Sequence, residues 1–150
     1  MEIAGSPVSL DTSALAKLYV PEPDSEVLER ALIGRRDPLV SDLTLTELTP
    51  ALARRVREGG LDETAAGRVH RRLQQDIRDG VFRVLDLAPE THRSAERLLR
   101  TLGCISLLRA ADSLHLAIAL MAAAAAGITY DPQLARAIRA LGTIELPASE

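Results

Sequence analysis

Four acidic residues of this chain stand at positions where carboxylates do chemistry in α/β proteins. Asp11 directly follows a short apolar run, Val8-Ser9-Leu10, and precedes a helical pattern. Asp131 follows Ile128-Thr129-Tyr130 and precedes Pro132. Both sit where a strand hands over to a helix, so each is also a natural N-cap, its side chain accepting a backbone N–H. Capping and metal ligation are compatible. Asp112 shares a helical stripe with Arg109, Ser113 and His115 that passes one turn later into Leu116, Ala119 and Leu120. An acid well inside a helix is not explained by a cap. It is either salt-bridged to Arg109 or placed at the lip of a cleft. Glu47 projects between Leu43 and Ala51, four residues to either side, from a mostly apolar face where an unpaired charge is costly, unless it is simply solvated. Brought together, such hard oxygen donors suit a divalent cation of the Mg²⁺ type.

Other chemistries lack their signatures. His70, His92 and His115 form no helical ligand pair and have no cysteine nearby, so they read as surface or packed histidines, and a zinc site is not indicated. There is no glycine-rich phosphate loop and no serine nucleophile elbow. The single cysteine, Cys104, can form no internal disulfide, which fits a reducing compartment. The 150 residues carry a net charge of −3, spread as −5 over residues 1–50, +2 over 51–80 and 0 over 81–150. No broad basic footprint marks a nucleic-acid binder, so any such function must come from a local patch or a carboxylate-held metal. The arginines at 54, 55, 57, 68, 71, 72 and 78 line two consecutive helical segments, as a solvated face or as a surface for RNA or a partner.

The elements that must position these acids alternate. Val8–Leu10 reads as a strand, and Asp11 to Tyr19 as a helix stopped by Pro21 and Pro23. A helix follows over 23–35, a strand over 38–41, and a long helix over 42–58 closed by Gly59-Gly60, with a kink expected at Pro50. Leu61, Ala65, Val69, Leu73 and Ile77 recur every four residues and predict an amphipathic helix ended by Gly80. A strand is expected over 81–87 and helices over 89–102 and 109–126, the latter ended by Gly127. A strand over 128–130, a helix over 132–141 and a last strand over 143–146 complete the chain. Strands separated by helices throughout imply a parallel sheet covered on both faces, with the ligand site at the carboxyl ends of the strands. At 47% hydrophobic and 26% charged, this is the composition of one soluble domain over residues 1–150. The longest apolar stretch, Leu116 to Ile128, is only 13 residues and contains a glycine. Neither a membrane span nor a signal peptide is read, and a cytoplasmic location is expected.

Four segments together, Leu10-Asp11-Thr12-Ser13-Ala14-Leu15, Ser41 to Glu47 (SDLTLTE), Leu108-Arg109-Ala110-Ala111-Asp112-Ser113-Leu114-His115-Leu116-Ala117 and Thr129-Tyr130-Asp131, resemble the PIN-domain ribonucleases, with the nearer match to the VapC-type toxins of bacterial toxin–antitoxin pairs. The likeness runs over nearly the whole chain in the family's order. It implies a three-layer α/β/α sandwich with a parallel sheet, and an acidic pocket that binds Mg²⁺ or Mn²⁺ through Asp11, Glu47, Asp112 and Asp131. Asp11 and Asp112 are then the core ligands, Asp131 supports the same ion or a second one, and Glu47 binds metal or positions the attacking water. Thr12, Ser13 and Thr129 are expected to hold these carboxylates by hydrogen bonds. The implied activity is endonucleolytic hydrolysis of RNA to 5′-phosphate and 3′-hydroxyl ends, with a structured tRNA or rRNA as the expected substrate. The implied partners are a VapB-like antitoxin, whose tail covers the pocket with an arginine facing the carboxylates, and a second copy in a homodimer.

Two other classes compete. A receiver-type signalling domain also places Asp at strand ends, but it needs a lysine at the end of its last strand, and 143–147 contains none. A catalytically idle PIN-like binding module would keep the fold without the metal.

Overall fold

The computed structural model describes residues 7–35 and 37–142. Its elements, in chain order, are β1 (Val8–Leu10), α1 (Thr12–Tyr19), α2 (Ser25–Leu32), β2 (Leu39–Ser41), α3 (Asp42–Arg57), α4 (Glu63–Arg78), β3 (Arg83–Leu85), α5 (Pro89–Leu102), α6 (Ala110–Met121), β4 (Ala126–Ile128) and α7 (Pro132–Leu141). The strand expected over 143–146 lies outside the described residues.

The four strands form one sheet in the order β3-β2-β1-β4, all parallel. Alternating side chains of these short strands feed two cores. Val8, Leu10 and Val40 pack with Leu15 and Leu28 and with Leu48, Leu52, Val69 and Leu73, so α1 to α4 cover one face. Leu39 packs with Ala95, Leu98, Leu102, Leu116, Ala117, Leu134 and Ile138, so α5, α6 and α7 cover the other. The expected α/β/α sandwich is the observed one. Leu10, Leu15, Leu48 and Leu116 are each 1% exposed or less, and burying a side chain of that size stabilises the fold by about 1.5–3 kcal/mol.

The chain runs from β1 outward to β2 and β3, then returns to the opposite edge of β1 as β4. The direction of winding therefore reverses between β1 and β4. Loops leaving two such strands at their carboxyl ends diverge and open a crevice there. Asp11 leaves β1 at that point, and Thr129 and Asp131 leave β4 beside it.

The boundaries between α6 and β4 depart most from the expected ones. The helix expected over 109–126 ends at Met121, and Gly127 lies inside β4 rather than stopping a helix. Ala123 takes a left-handed conformation (φ 52°), and Ala124 N–H bonds back to Ala119 C=O (2.9 Å), which closes the helix. Alanine has high helix propensity, but Ala126, Gly127 and Ile128 pair with Val8, Ser9 and Leu10 and are all buried between the two helical layers. Burial and ladder hydrogen bonds outweigh local preference and the roughly 1–2 kcal/mol cost of one left-handed alanine. The β4 strand thus starts two residues earlier than expected. At Pro50, α3 continues without a break to Arg57.

Candidate active site

At the end of β1, Asp11 caps α1 through Ala14 N–H to Oδ1 (2.9 Å). Ser13 Oγ donates to the same oxygen (2.7 Å), and Thr129 Oγ1 donates to Oδ2 (2.5 Å). The carboxyl is 8% exposed, and burial pushes its pKa up against the lowering effect of these donors. Both hydroxyls also accept from the β4–α7 loop: Ser13 Oγ from Tyr130 N–H (2.8 Å) and Thr129 Oγ1 from Asp131 N–H (3.0 Å). Asp11 therefore anchors the loop that carries Asp131.

Asp131 caps α7, with Gln133 N–H on Oδ1 (2.8 Å) and Pro132 at the first helical position. Its Oδ2 accepts from Arg109 Nη2 (2.6 Å). Arg109 Nε also donates to Asp112 Oδ2 (3.0 Å), so one guanidinium bridges two acids that are 19 positions apart in the chain. Asp112 is buried and not well inside a helix, as the sequence suggested. Helix α6 starts at Ala110, which puts Asp112 in the first turn, where its Oδ2 also accepts the backbone N–H of Arg109 (3.1 Å). The carboxylate thus closes its own helix end and stabilises the exposed N–H dipoles there. The salt bridge to Arg109 that the sequence left open is present.

Glu47 reaches the cleft from α3, half-buried. Its Oε1 accepts from Thr12 Oγ1 (2.9 Å) and pairs with His115 Nε2 (2.5 Å). The hydrogen bond from His115 holds the Glu47 carboxyl below its ordinary pKa, opposed by partial burial and helped by the His115 charge and by Thr12. A carboxylate so held stays ionised, so Nε2 is the donor. His115 was read from sequence as a surface or packed histidine, and it is a packed one with a partner in the cleft. The available signal was its position three residues after Asp112, on the same helical stripe.

Asp11, Glu47, Asp112 and Asp131 all line one open cleft of roughly 510 Å³, together with Thr12, Ser13 and His115. Lys17, Glu22, Arg54, Arg55 and Tyr130 line the same cleft. Lys17 lies 4.5 Å from the centre of the Tyr130 ring and pairs with Glu22 (2.6 Å), which in turn pairs with Arg55.

The donor chemistry fits a hard divalent cation. The oxygens are carboxylates, and a cation, the Arg109 guanidinium, already stands between two of them. The four do not close on one point. Among the described residues no group of three or more His, Cys, Asp or Glu side chains stands at ligating distance, which departs from the expected cluster. Each acid instead has an internal partner: Arg109 on Asp112 and Asp131, His115 and Thr12 on Glu47, and the Ser13 and Thr129 hydroxyls on Asp11. Glu47 is also partly open to solvent, so it can turn toward an ion.

The family model of the PIN domain matches residues 8–139. No curated protein matches the chain. Solved structures that share its fold include VapC20 of Mycobacterium tuberculosis, described as a sarcin-ricin loop cleaving toxin, with 19% identity, a TM-score of 0.66 and coverage of 87% of this chain and 94% of that one. VapBC2 from Rickettsia felis, bound to a DNA fragment from their promoter, is 16% identical with a TM-score of 0.65, covering 93% and 96%. FitAcB from Neisseria gonorrhoeae is 22% identical with a TM-score of 0.65, covering 93% and 95%.

Proposed function

The chain belongs to the PIN domain family, and from that membership we propose that it is a divalent-metal-dependent endoribonuclease, the toxin of a toxin–antitoxin pair, cutting RNA to 5′-phosphate and 3′-hydroxyl ends. The observation that carries this reading is the convergence of Asp11, Glu47, Asp112 and Asp131 on one cleft at the reversal point of the sheet. The likeness in fold to VapC20, VapBC2 and FitAcB supports the toxin assignment.

Asp11 and Asp112 are the proposed ligands of Mg²⁺ or Mn²⁺, with Asp131 supporting the same ion or a second one and Glu47 at its edge. When bound, such an ion neutralises charge on the scissile phosphate and makes water a better nucleophile. The chain supplies the rest. Asp11 is fixed by Thr129, Ser13 and the end of α1, so its orientation is set before substrate arrives. Glu47 is held ionised by His115, a state suited to accepting a hydrogen bond from the attacking water and orienting it, rather than to taking up its proton. His115 Nε2 anchors that carboxylate. The basic side chains that line the cleft, Lys17, Arg54 and Arg55, would meet the RNA backbone, and Tyr130 offers a ring for a base.

The proposed partners are a small antitoxin whose arginine covers the pocket, a structured RNA substrate and a second copy in a homodimer. The setting is the cytoplasm, and no described helix is long and apolar enough to cross a membrane. A second reading, an idle binding module, is favoured by one observation, the internal pairing of every acid. One experiment separates the two: total cellular RNA incubated with wild type or Asp112→Asn, with Mn²⁺ or with chelator, and the new 5′ ends mapped. Discrete cuts that need both metal and Asp112 are expected. Cuts at the wild-type rate by Asp112→Asn would refute the site, and no cuts by folded wild type would leave the binding module.

A further inference from the structure

Arg109 meets the carboxylates in a way that a surface ion pair does not. Its guanidinium places Nη2 2.6 Å from Asp131 Oδ2 and Nε 3.0 Å from Asp112 Oδ2, with Nη2 a further 3.4 Å from Asp112 Oδ1. One cation thus spans the gap between the acid on α6 and the acid capping α7. The exposures are unequal: the Arg109 side chain is 60% exposed, while Asp112 is 7% and Asp131 29%. The acids are fixed by their helices, Asp112 through the backbone N–H of Arg109 and Asp131 through Gln133 N–H. The arginine is the movable member, able to leave by rotating exposed side-chain bonds.

We propose that Arg109 is an internal stand-in cation that occupies the Asp112–Asp131 gap in the metal-free protein and is displaced when a divalent ion binds there. The inference rests on the metal site assigned above. An ion seated between Asp112 and Asp131 would take the space that Arg109 Nε and Nη2 fill, so ion entry and arginine exit form one exchange, and the apparent metal affinity is lower than the carboxylates alone would give. The same pairing keeps like charges apart by compensation when no ion is present, so the acids are held in place at low metal. Metal therefore also switches the guanidinium from an internal partner to a free group at the mouth of the cleft.

The exchange is read without activity. Mn²⁺ and Mg²⁺ are titrated by calorimetry into wild type, Arg109→Gln, Arg109→Lys, Arg54→Gln and Asp112→Asn, and the Arg109 Nε–H signal of wild type is followed by ¹H–¹⁵N NMR during the Mg²⁺ titration. The expected result is binding at least about threefold tighter in Arg109→Gln, because a partly exposed ion pair no longer has to be broken. Arg109→Lys, which keeps the charge but cannot span both acids, falls between the two. The Nε–H signal moves to the position of a free arginine over the same Mg²⁺ range as the calorimetric binding. Unchanged or weaker binding in Arg109→Gln, or an Nε–H signal unmoved at saturating Mg²⁺, overturns the exchange. A gain in Arg54→Gln as large as in Arg109→Gln also overturns it, since the effect would then be the general field of the cleft. If Asp112→Asn alone loses binding, the metal site stands whatever Arg109 does. If no variant and no wild type binds metal, the site assignment and the exchange fall together. The NMR arm needs no substitution, so it decides even where Arg109→Gln does not fold.

Discussion

His115 Nε2 stands 2.5 Å from Glu47 Oε1, joining α6 to α3 across the cleft by side chains 68 positions apart. The side chain of His115 is only 10% exposed, against 34% for Glu47. The histidine is thus the fixed member and the carboxylate the one it aims. Thr12 adds a second donor to the same oxygen, which leaves Oε2 as the free face of Glu47.

His115→Ala is expected to lower cleavage about 10–100-fold, the usual effect of losing a group that orients a metal-site carboxylate. The pH profile distinguishes aiming from simple packing. The hydrogen bond from His115 holds the Glu47 carboxyl below its ordinary pKa, so removing it lets that pKa rise. The acid limb of kcat/KM should therefore move to higher pH. His115→Gln, which restores an N–H donor, should move it part of the way back. A rate loss with an unmoved acid limb would mean that His115 only fills space.

Asp11→Asn separates folding from metal binding. Burial lifts the Asp11 pKa above 3.8. A raised carboxyl favours the fold below its unfolded value and loses that contribution as pH climbs through the folded one, so at pH 7 the buried charge is a cost. The amide still accepts from Ala14 and Ser13. In the absence of metal, the variant should melt at or above the wild-type temperature at pH 7, with the difference closing below about pH 3.8. Millimolar Mn²⁺ should raise the Tm of wild type and not that of Asp11→Asn. An equal rise in both would count against Asp11 as a ligand.

How far the sequence reached depended on distance along the chain. The spacing of four from Leu61 to Ile77 located α4, and the Asp-Pro pair at 131–132 located the start of α7, because both signals are local. The four carboxylates are legible through resemblance, and Asp11 and Asp131 also through their places after strands. The reversal at Ala123 was hidden, because a run of alanines favours helix and only pairing with Val8 to Leu10 outweighs it. Asp112 stands in the first turn of α6 and not well inside the helix, where its carboxylate takes the backbone N–H of Arg109. The reach of Arg109 to Asp131 and of His115 to Glu47 was not legible, since nothing local in the sequence says which helix ends will meet.

Tyr19→Phe tests a polar clasp whose members do not line the cleft. Tyr19 Oη donates to Asp76 Oδ2 (2.7 Å), Asp76 also accepts from Arg72 Nε (3.0 Å), and the acid is 8% exposed. Burial and the neighbouring carboxylate both push the phenol pKa well up, so it remains a donor at every pH at which the protein is handled. Removing the hydroxyl leaves one oxygen of Asp76 short of a partner, at a cost of about 1–3 kcal/mol. At this chain length that lowers Tm by roughly 2–4 °C for each kcal/mol. Differential scanning calorimetry checks it, and cleavage should be unchanged. A Tm within 1 °C of wild type, on the same scale, would show that Arg72 alone satisfies the acid.

Thr129→Val is the sharpest test of how Asp11 and Asp131 are kept in register. The Thr129 hydroxyl donates to Asp11 Oδ2 and accepts the N–H of Asp131, so one oxygen couples the two acids. Valine keeps the β-branched shape but leaves a buried carboxylate oxygen and a loop N–H unpaired. The expected outcomes are a loss of about 1–3 kcal/mol in stability and metal binding weakened about 10–100-fold. Faster hydrogen exchange at the Asp131 amide should accompany them. Thr129→Ser keeps the hydroxyl and should restore the metal affinity. Weak binding in both variants, with the Asp131 amide still protected, would mean that the methyl group and not the hydroxyl positions the site.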